Sequence, residues 1–480
     1  MNRESPTTRR AYLRAAGATA AAGALAGCSE FVPGETTTTR RTTSTETAEI
    51  TETADTPTGE TTATTRGNST SARTPTGVDR SRYETVVNVA DAGADTSGEE
   101  PIDAVLNERV GDDTLLYFPP GRYKLGEWEA TGYSNLGVVG DDAALIPPEG
   151  KRDYWLMWGD LSDFRFSGFT VDCRGNRVAP VTYLSVSGGR NVVRNVAVRG
   201  HRRAPTTAFE VAAAGKGSEL RFENVELPDG STHGHAVYVF PRSVGDLTFR
   251  NCRVEHWMEG LYAAYHRGPL RILGGYYANN GIEQVRVGGG TSGALVRGVT
   301  VRVDNPRRPE YKPNMRGIWA EEGGKVRIED CDVAITDLTG TYSSGAIVVG
   351  KQFGEAVVVN TEIRTDADAY GLHVRNPIES MAGETIPSMG SLPKRTRFRA
   401  RNVRISGSAE SGAAVRATRR DDCRFESLCV RHPRGDRDGI WVAGADGCAV
   451  RSSTIDVTGE ALRAEEAEVE TIGVRTNGSC

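Results

Sequence analysis

From about residue 134 onward, short stretches alternate apolar and polar side chains, and glycine, asparagine or aspartate interrupts them every few residues. Alternation with a period of two predicts β-strands. One mark recurs, a small or polar residue followed by a short strand: "SGFTV", "RNVAV", "ENVEL", "RNCRV", "LGGYY", "RGVTV", "EDCDV", "VNTEI", "RNVRI", "ESLCV" and "SSTIDV". The marker positions are Gly168, Asn195, Asn224, Asn251, Gly274, Gly298, Asp330, Asn360, Asn402, Ser427 and Thr454. Their intervals run from 23 residues (Asn251 to Gly274) to 42 (Asn360 to Asn402). A loose period of this length, built of strands, predicts a β-solenoid whose coils bury their apolar faces only by stacking. Asparagine suits the marker because it tolerates the left-handed turn conformation. Propeller blades need longer repeats, and the strict leucine pattern of leucine-rich repeats is absent.

A second strand in each repeat opens at a glycine: Gly234, Gly260, Gly281, Gly317, Gly345, Gly371, Gly412 and Gly439. Aligned on that glycine, from Gly260 onward the first and third residues that follow are apolar apart from Gln284, so they point inward. The residues two after the glycine then point outward: Ala236, Tyr262, Glu283, Trp319, Ile347, His373, Ala414 and Trp441. So do those four after it: Tyr238, Ala264, Val285, Glu321, Val349, Arg375, Arg416 and Ala443.

Residues 85–125 differ: a strand, a Gly-Ala-Asp turn, a short helical stretch, then a strand ending in "FPPGRY". Val87, Gly93, Ala94, Asp95, Phe118, Pro119, Gly121 and Tyr123 carry a resemblance to the segment that opens the pectate-lyase-like, right-handed parallel β-helix superfamily. With the repeats, the resemblance covers roughly residues 82–475. It implies an all-β, single-stranded right-handed parallel β-helix with a short N-terminal capping helix. It does not choose a reaction, because this fold carries lyases, hydrolases, epimerases, esterases and tailspikes.

The first 79 residues read differently. "TRRAYLR" precedes an Ala/Gly-rich run too short to span a bilayer comfortably. Arg9, Arg10, Tyr12 and Leu13 resemble a twin-arginine export signal, and "LAGC" ending at Cys28 resembles a lipobox. Residues 28–79 are threonine-rich with almost nothing to bury, which predicts a disordered stalk. The expected layout is a signal at 1–27, a linker at 28–79 and a β-helix at 80–476. The chain would be exported and held by a lipid at Cys28 on the outer face of the cytoplasmic membrane. Asn68 and Asn477 head sequons for N-linked glycans.

Formal charge is −5, and no basic run suggests a nucleic-acid partner. Seven cysteines follow Cys28 without metal-ligand spacing. Cys252 and Cys331 replace valine in the repeat and read as core residues. Cys423 and Cys448 fall at similar places in adjacent repeats, where they could pair.

Adjacent coils lie about 4.8 Å apart, so the glycine alignment sets Glu283 between Tyr262 and Trp319, with Glu321 about 8 Å away between α-carbons. Glu283, Glu321, Glu322, Arg286 and Lys351 are the catalytic candidates. Tyr238, Tyr262, His266, Trp319, His373, Arg375 and Trp441 are the substrate-binding candidates, and the insertion at residues 302–315 would wall one side. Rings beside paired carboxylates and cations suit a polysaccharide or glycoconjugate. Hydrolysis would use two carboxylates. Elimination would use Arg286, Lys351, His373 or Arg375. A non-catalytic glycan-binding or envelope protein would use the same stripe. No cofactor is predicted: calcium would be compatible with a lyase, but no loop shows its ligand pattern.

Overall fold

The computed structural model describes residues 79–306, 314–380, 386–476 and 478. The segment read as an export signal, Cys28, the threonine-rich segment and both Asn68 and Asn477 lie outside the described residues, as does most of the insertion between Pro306 and Asn314.

The chain winds as a right-handed parallel β-helix of about 13 turns. Every strand pairing among the described residues is parallel, and beyond the first coil strands pair with their counterparts one coil away rather than with their neighbours in sequence. Most coils carry three short strands, so three parallel sheets enclose one core. The pattern follows from the two-residue period: inward positions carry valine, isoleucine, leucine, alanine or phenylalanine and are almost fully buried. Near the N-terminus the core is aromatic, with Trp158 packed on Phe164 and Phe166. Farther along it is aliphatic.

The opening segment behaves as its residues suggest. Helix α1 (Asp103–Arg109) buries Leu106, and Ile102 just ahead of it is fully covered, so together they close the first coil. Asp95 accepts hydrogen bonds from the backbone nitrogens of Ser97, Glu99 and Glu100, which fixes the turn and holds its carboxyl well below the usual range. Tyr123 donates to the Pro119 carbonyl at 2.7 Å.

Ten of the eleven marker positions adopt a left-handed backbone, Asn224 at φ 53° among them. The eleventh is corrected: the turn falls at Ser452, two residues before Thr454. Asparagine side chains also link coils, with Asn224 Nδ2 donating to Asn195 Oδ1 at 3.0 Å and Asn402 to Asn360 at 2.9 Å. Cys252 and Cys331 are buried, as expected of core residues. Cys423 and Cys448 do not form the disulfide considered above; both are buried free thiols on adjacent coils.

Candidate functional site

The sheet that carries the candidate residues is formed by β1 (Tyr154–Ser162), β2 (Val181–Gly188), β3 (Phe209–Ala213), β4 (His235–Val239), β5 (Glu259–Ala263), β6 (Glu283–Val287), β7 (Arg316–Glu329), β8 (Ile347–Val359), β9 (Leu372–Val374), β10 (Ala413–Thr418), β11 (Asp438–Ala443) and β12 (Leu462–Glu465). One outward column crosses them all. It reads Met157, Tyr183, Glu210, Tyr238, Tyr262, Arg286, Trp319, Val348, His373, Arg416, Trp441 and Arg463.

This register corrects the glycine alignment. Arg286, not Glu283, lies between Tyr262 and Trp319. From β4 to β11 the residue two before the column is small, Gln284 excepted, and packs closely on the next coil: a Cβ on Gly260 would sit 2.4 Å from the Gln284 carbonyl, and one on Gly317 2.2 Å from that of Ala346. Gly260, Gly317, Gly371 and Gly439 occupy that place, but Ala236, Gln284, Ala346 and Ala414 do so in the other coils. Gly234, Gly281, Gly345 and Gly412 therefore misled the alignment. Val285 and Ile347, expected to face outward, are buried core residues.

A second column stands three residues earlier. His235 is in register with Glu259, and Glu283 with Arg316. The offset that pairs Tyr262 with Arg286 sets Glu283 beside Glu259. The two columns meet at Arg286. Its guanidinium makes a two-pronged ion pair with Glu321, reaches Glu259 at 3.2 Å and lies 4.0 Å from Glu283. It is also sandwiched between rings, 3.8 Å from the Tyr262 centroid and 4.2 Å from that of Trp319. Arg316 covers Trp319 as well, at 3.9 Å.

Burial and the Glu259 charge push the Glu283 carboxyl well above the usual range. Burial acts on Glu259 too, but His235 and Arg286 outweigh it and hold that carboxyl low. The pair therefore keeps one proton and one charge. Glu321 and Glu322 are neighbours in sequence, yet both stand near Arg286, because a bulge between Ala320 and Glu322 breaks the alternation. Glu321 keeps 15% of its side chain exposed. Glu322 is buried, accepts from the Ser388 nitrogen at 2.7 Å, and is raised to about 8 by burial and by Glu321. Half-buried Tyr265 packs on Tyr262 at 5.1 Å and feels the charges of Glu321 and Glu322.

The other candidates scatter around this centre. Tyr238 is buried in the column, its ring 5.1 Å from that of Tyr262. His266 is not on this face: it is fully buried, with its ring nitrogens 2.9 Å from Ser243 Oγ and 3.1 Å from the Pro269 carbonyl oxygen. Lys351 lies half-buried on β8 and Arg375 half-buried just after β9. His373 is half-buried, with Nδ1 2.8 Å from the Ser344 carbonyl oxygen and its ring 4.7 Å from that of Tyr370. Trp441 donates to Glu465 at 3.1 Å and carries Arg416 and Arg463 at 4.2 and 4.5 Å. The faces of Tyr262, Trp319 and Trp441 are thus occupied by guanidinium groups and do not offer the open platforms expected of them. No cluster of histidine, cysteine, aspartate and glutamate suited to a metal occurs among the described residues.

Glu259, Arg316 and Tyr265 were missed. The signal for Glu259 and Arg316 is the run "EGLY", "EQVR", "RGIW", in which a charged residue, a small or polar one, a branched one and the column residue follow one another.

No family model matches the chain, and no curated protein matches it in sequence. Solved structures similar in chain path include a surface adhesin, PfbA, of Streptococcus pneumoniae: 11% identity, TM-score 0.44, over 81% of this chain and 100% of that one. A mannuronan C-5 epimerase A-module of Azotobacter vinelandii is similar at 15% identity and a TM-score of 0.42, over 82% and 100%. The catalytic domain of an α-1,3-glucanase follows at 11% identity and a TM-score of 0.33, over 84% and 67%. These proteins differ in activity, and none of those activities carries over to this chain.

Proposed function

We propose that this chain is an exported, lipid-anchored surface protein that binds an extended glycan along the β1–β12 face and cleaves it at the acidic centre on β7. The observation that carries the reading is the convergence of Glu321 and Glu322 beside Arg286. A bulge turns two carboxyls out of one coil, a protonated one bonded to the Ser388 nitrogen and an ionised one paired with Arg286. Glu322, raised to about 8, holds a proton at neutral pH and is the acid; Glu321, oriented by Arg286, is the carboxylate partner. Glu259, Glu283, Tyr262 and Trp319 hold Arg286 in place. Elimination is the weaker alternative. Arg286 is locked among carboxylates that raise its pKa well above the ordinary value, so it cannot act as a base.

The test uses the purified full-length chain with neutral and uronate-containing polysaccharides, following new reducing ends and the ultraviolet absorbance of unsaturated uronates together. Reducing ends without absorbance, lost by about 100-fold or more in Glu322→Gln and Glu321→Gln, are expected. Absorbance would replace the glutamates with a base such as His373. A non-catalytic glycan-binding role is the second reading, favoured by the depth at which Glu283 and Arg286 lie. Binding without new ends would select it.

A further inference from the structure

After β9 the chain returns to the acidic centre. Residues 386–395 lie over three stacked glycines, one from each of the coils of β6, β7 and β8. Gly324 N donates to the Gly290 carbonyl at 2.8 Å, and a Cβ on Gly354 would sit 2.2 Å from the Gly324 carbonyl oxygen. The returning segment comes close enough that a side chain on this floor would meet it. A Cβ on Gly290 would sit 3.0 Å from the Ser388 carbonyl oxygen. One on Gly354 would sit 3.0 Å from Pro393 Cβ and 3.1 Å from the Arg395 carbonyl oxygen.

Ile386 to Gly390 form a tight turn, closed by the Met389 and Gly390 nitrogens, which donate to the Ile386 carbonyl at 3.2 and 2.8 Å. Pro387, second in the turn, presets its backbone. Ile386 and Ser388 are buried. Among the described residues, one hydrogen bond joins residues 386–396 to the solenoid, and it ends on the site: Ser388 N donates to Glu322 Oε1 at 2.7 Å. In a neutral carboxyl the carbonyl oxygen is the better acceptor, so an N–H at Oε1 leaves the proton on Oε2. In the ionised carboxyl the same bond is charge-assisted and stronger. Ser388 therefore acts to lower Glu322, while burial and Glu321 raise it to about 8. Arg286 on β6 also lowers it, and Tyr265, after β5, feels its charge.

We propose that Ser388 is a positioning residue of the reaction centre: its backbone N–H, set by the turn over the glycine floor, holds Glu322 in one orientation with the acid proton on Oε2. The proposal rests on the reading of Glu322 as the acid. It also gives Gly290 and Gly354 a role, since they let the turn settle close enough to reach the carboxyl.

The test starts with the full-length chain labelled with nitrogen-15 serine, the Ser388 amide signal being the one missing from Ser388→Ala. In the unaltered chain that signal is expected to move through one transition near pH 8, and in Glu322→Gln to stay still over the same range. The second arm follows reducing ends released from the polysaccharides used above. Pro387→Gly, which frees the turn, should lower kcat about 10-fold with KM unchanged. It should also move the alkaline limb of the rate profile to higher pH, because the weakened bond favours the ionised carboxyl. A Ser388 signal that ignores pH between about 6 and 10, or moves alike in Glu322→Gln, overturns the positioning. So does a Pro387→Gly rate profile that superimposes on the parent's. A signal that titrates as expected in a chain releasing no reducing ends overturns the hydrolytic reading instead and leaves the contact standing.

Discussion

Replacing Arg286 by methionine tests whether the centre is one electrostatic unit. Methionine keeps much of the volume between Tyr262 and Trp319 but removes the charge. Deleting one partner of a buried ion pair costs about 3–5 kcal/mol, because the other charge stays buried without compensation. Glu259 is 1% exposed and cannot reach water, whereas Glu321, at 15%, can turn partly outward. Loss of two guanidinium–ring contacts adds about 0.5–2 kcal/mol each, and methionine packing returns part of that. The expected loss at pH 7 is therefore about 3–5 kcal/mol. Urea unfolding followed by tryptophan fluorescence and circular dichroism measures it, with coincident transitions justifying a two-state treatment.

The sign of its pH dependence is fixed. Glu259 is held low in the folded chain, so its contribution is present above the unfolded value of about 4.3 and is lost as pH falls through the folded value. Without Arg286 that carboxyl rises, so the deficit is full above the new folded value and shrinks as pH falls from there toward the parent's lower one. The loss should be clearly smaller at pH 4 than at pH 7. A loss under about 1 kcal/mol at pH 7, or one equal at both pH values, would refute the reasoning and leave Arg286 as packing alone.

Glu283→Gln should change stability at pH 7 by under about 1 kcal/mol, since the carboxyl it replaces is already neutral; a loss above about 3 kcal/mol would show that Glu283 is ionised. Glu322→Gln should match the parent near pH 4 and exceed it by about 2–4 kcal/mol near pH 8.5. A carboxyl raised to about 8 stabilises only below its unfolded value and loses that contribution as pH climbs through 8; parallel thermal-midpoint profiles would contradict this. Asn224→Ala should cost about 1–2 kcal/mol, through its left-handed backbone and the lost bond to Asn195, and Asn224→Gly less. Chemical denaturation showing alanine as tolerable as glycine would remove the conformational argument.

The repeat and its turns were legible because they depend on one residue at a time. A left-handed turn selects asparagine or glycine wherever it occurs, so ten markers could be found singly. The columns were not legible in the same way. Their register depends on which small residue clears a carbonyl in the next coil, and that place accepts alanine as well as glycine and, once, Gln284, whose side chain bonds back to Asn280. Anchoring on glycine moved Glu283 by three residues and hid Glu259, although Glu283, Arg286, Glu321 and Glu322 were all picked out on β6 and β7. Burial was the other gap. His266 and Tyr262 look like surface chemistry in sequence, and only the stack shows that Ser243, Pro269 and Arg286 occupy them.

The solenoid itself accounts for the perturbed carboxyls. Stacking repeats any column residue at about 4.8 Å, a spacing at which two carboxylates cannot both ionise in a dry setting. Glu259 and Glu283 are one coil apart in one column, so the fold alone makes one of them keep its proton. A cation placed to serve both must enter from the neighbouring column three residues later, and Arg286 does so. Rings above and below it prevent it from swinging to solvent. The same spacing works against a catalytic pair within a column, since both acids would compete for one counter-charge. The bulge at Glu321 and Glu322 escapes this by drawing its two carboxyls from a single coil, one toward Arg286 and one toward Ser388. Deleting Glu321 to restore regular alternation would therefore abolish the proposed reaction while leaving the coil count and the parallel pairing intact. Circular dichroism paired with the reducing-end assay distinguishes that outcome from simple unfolding.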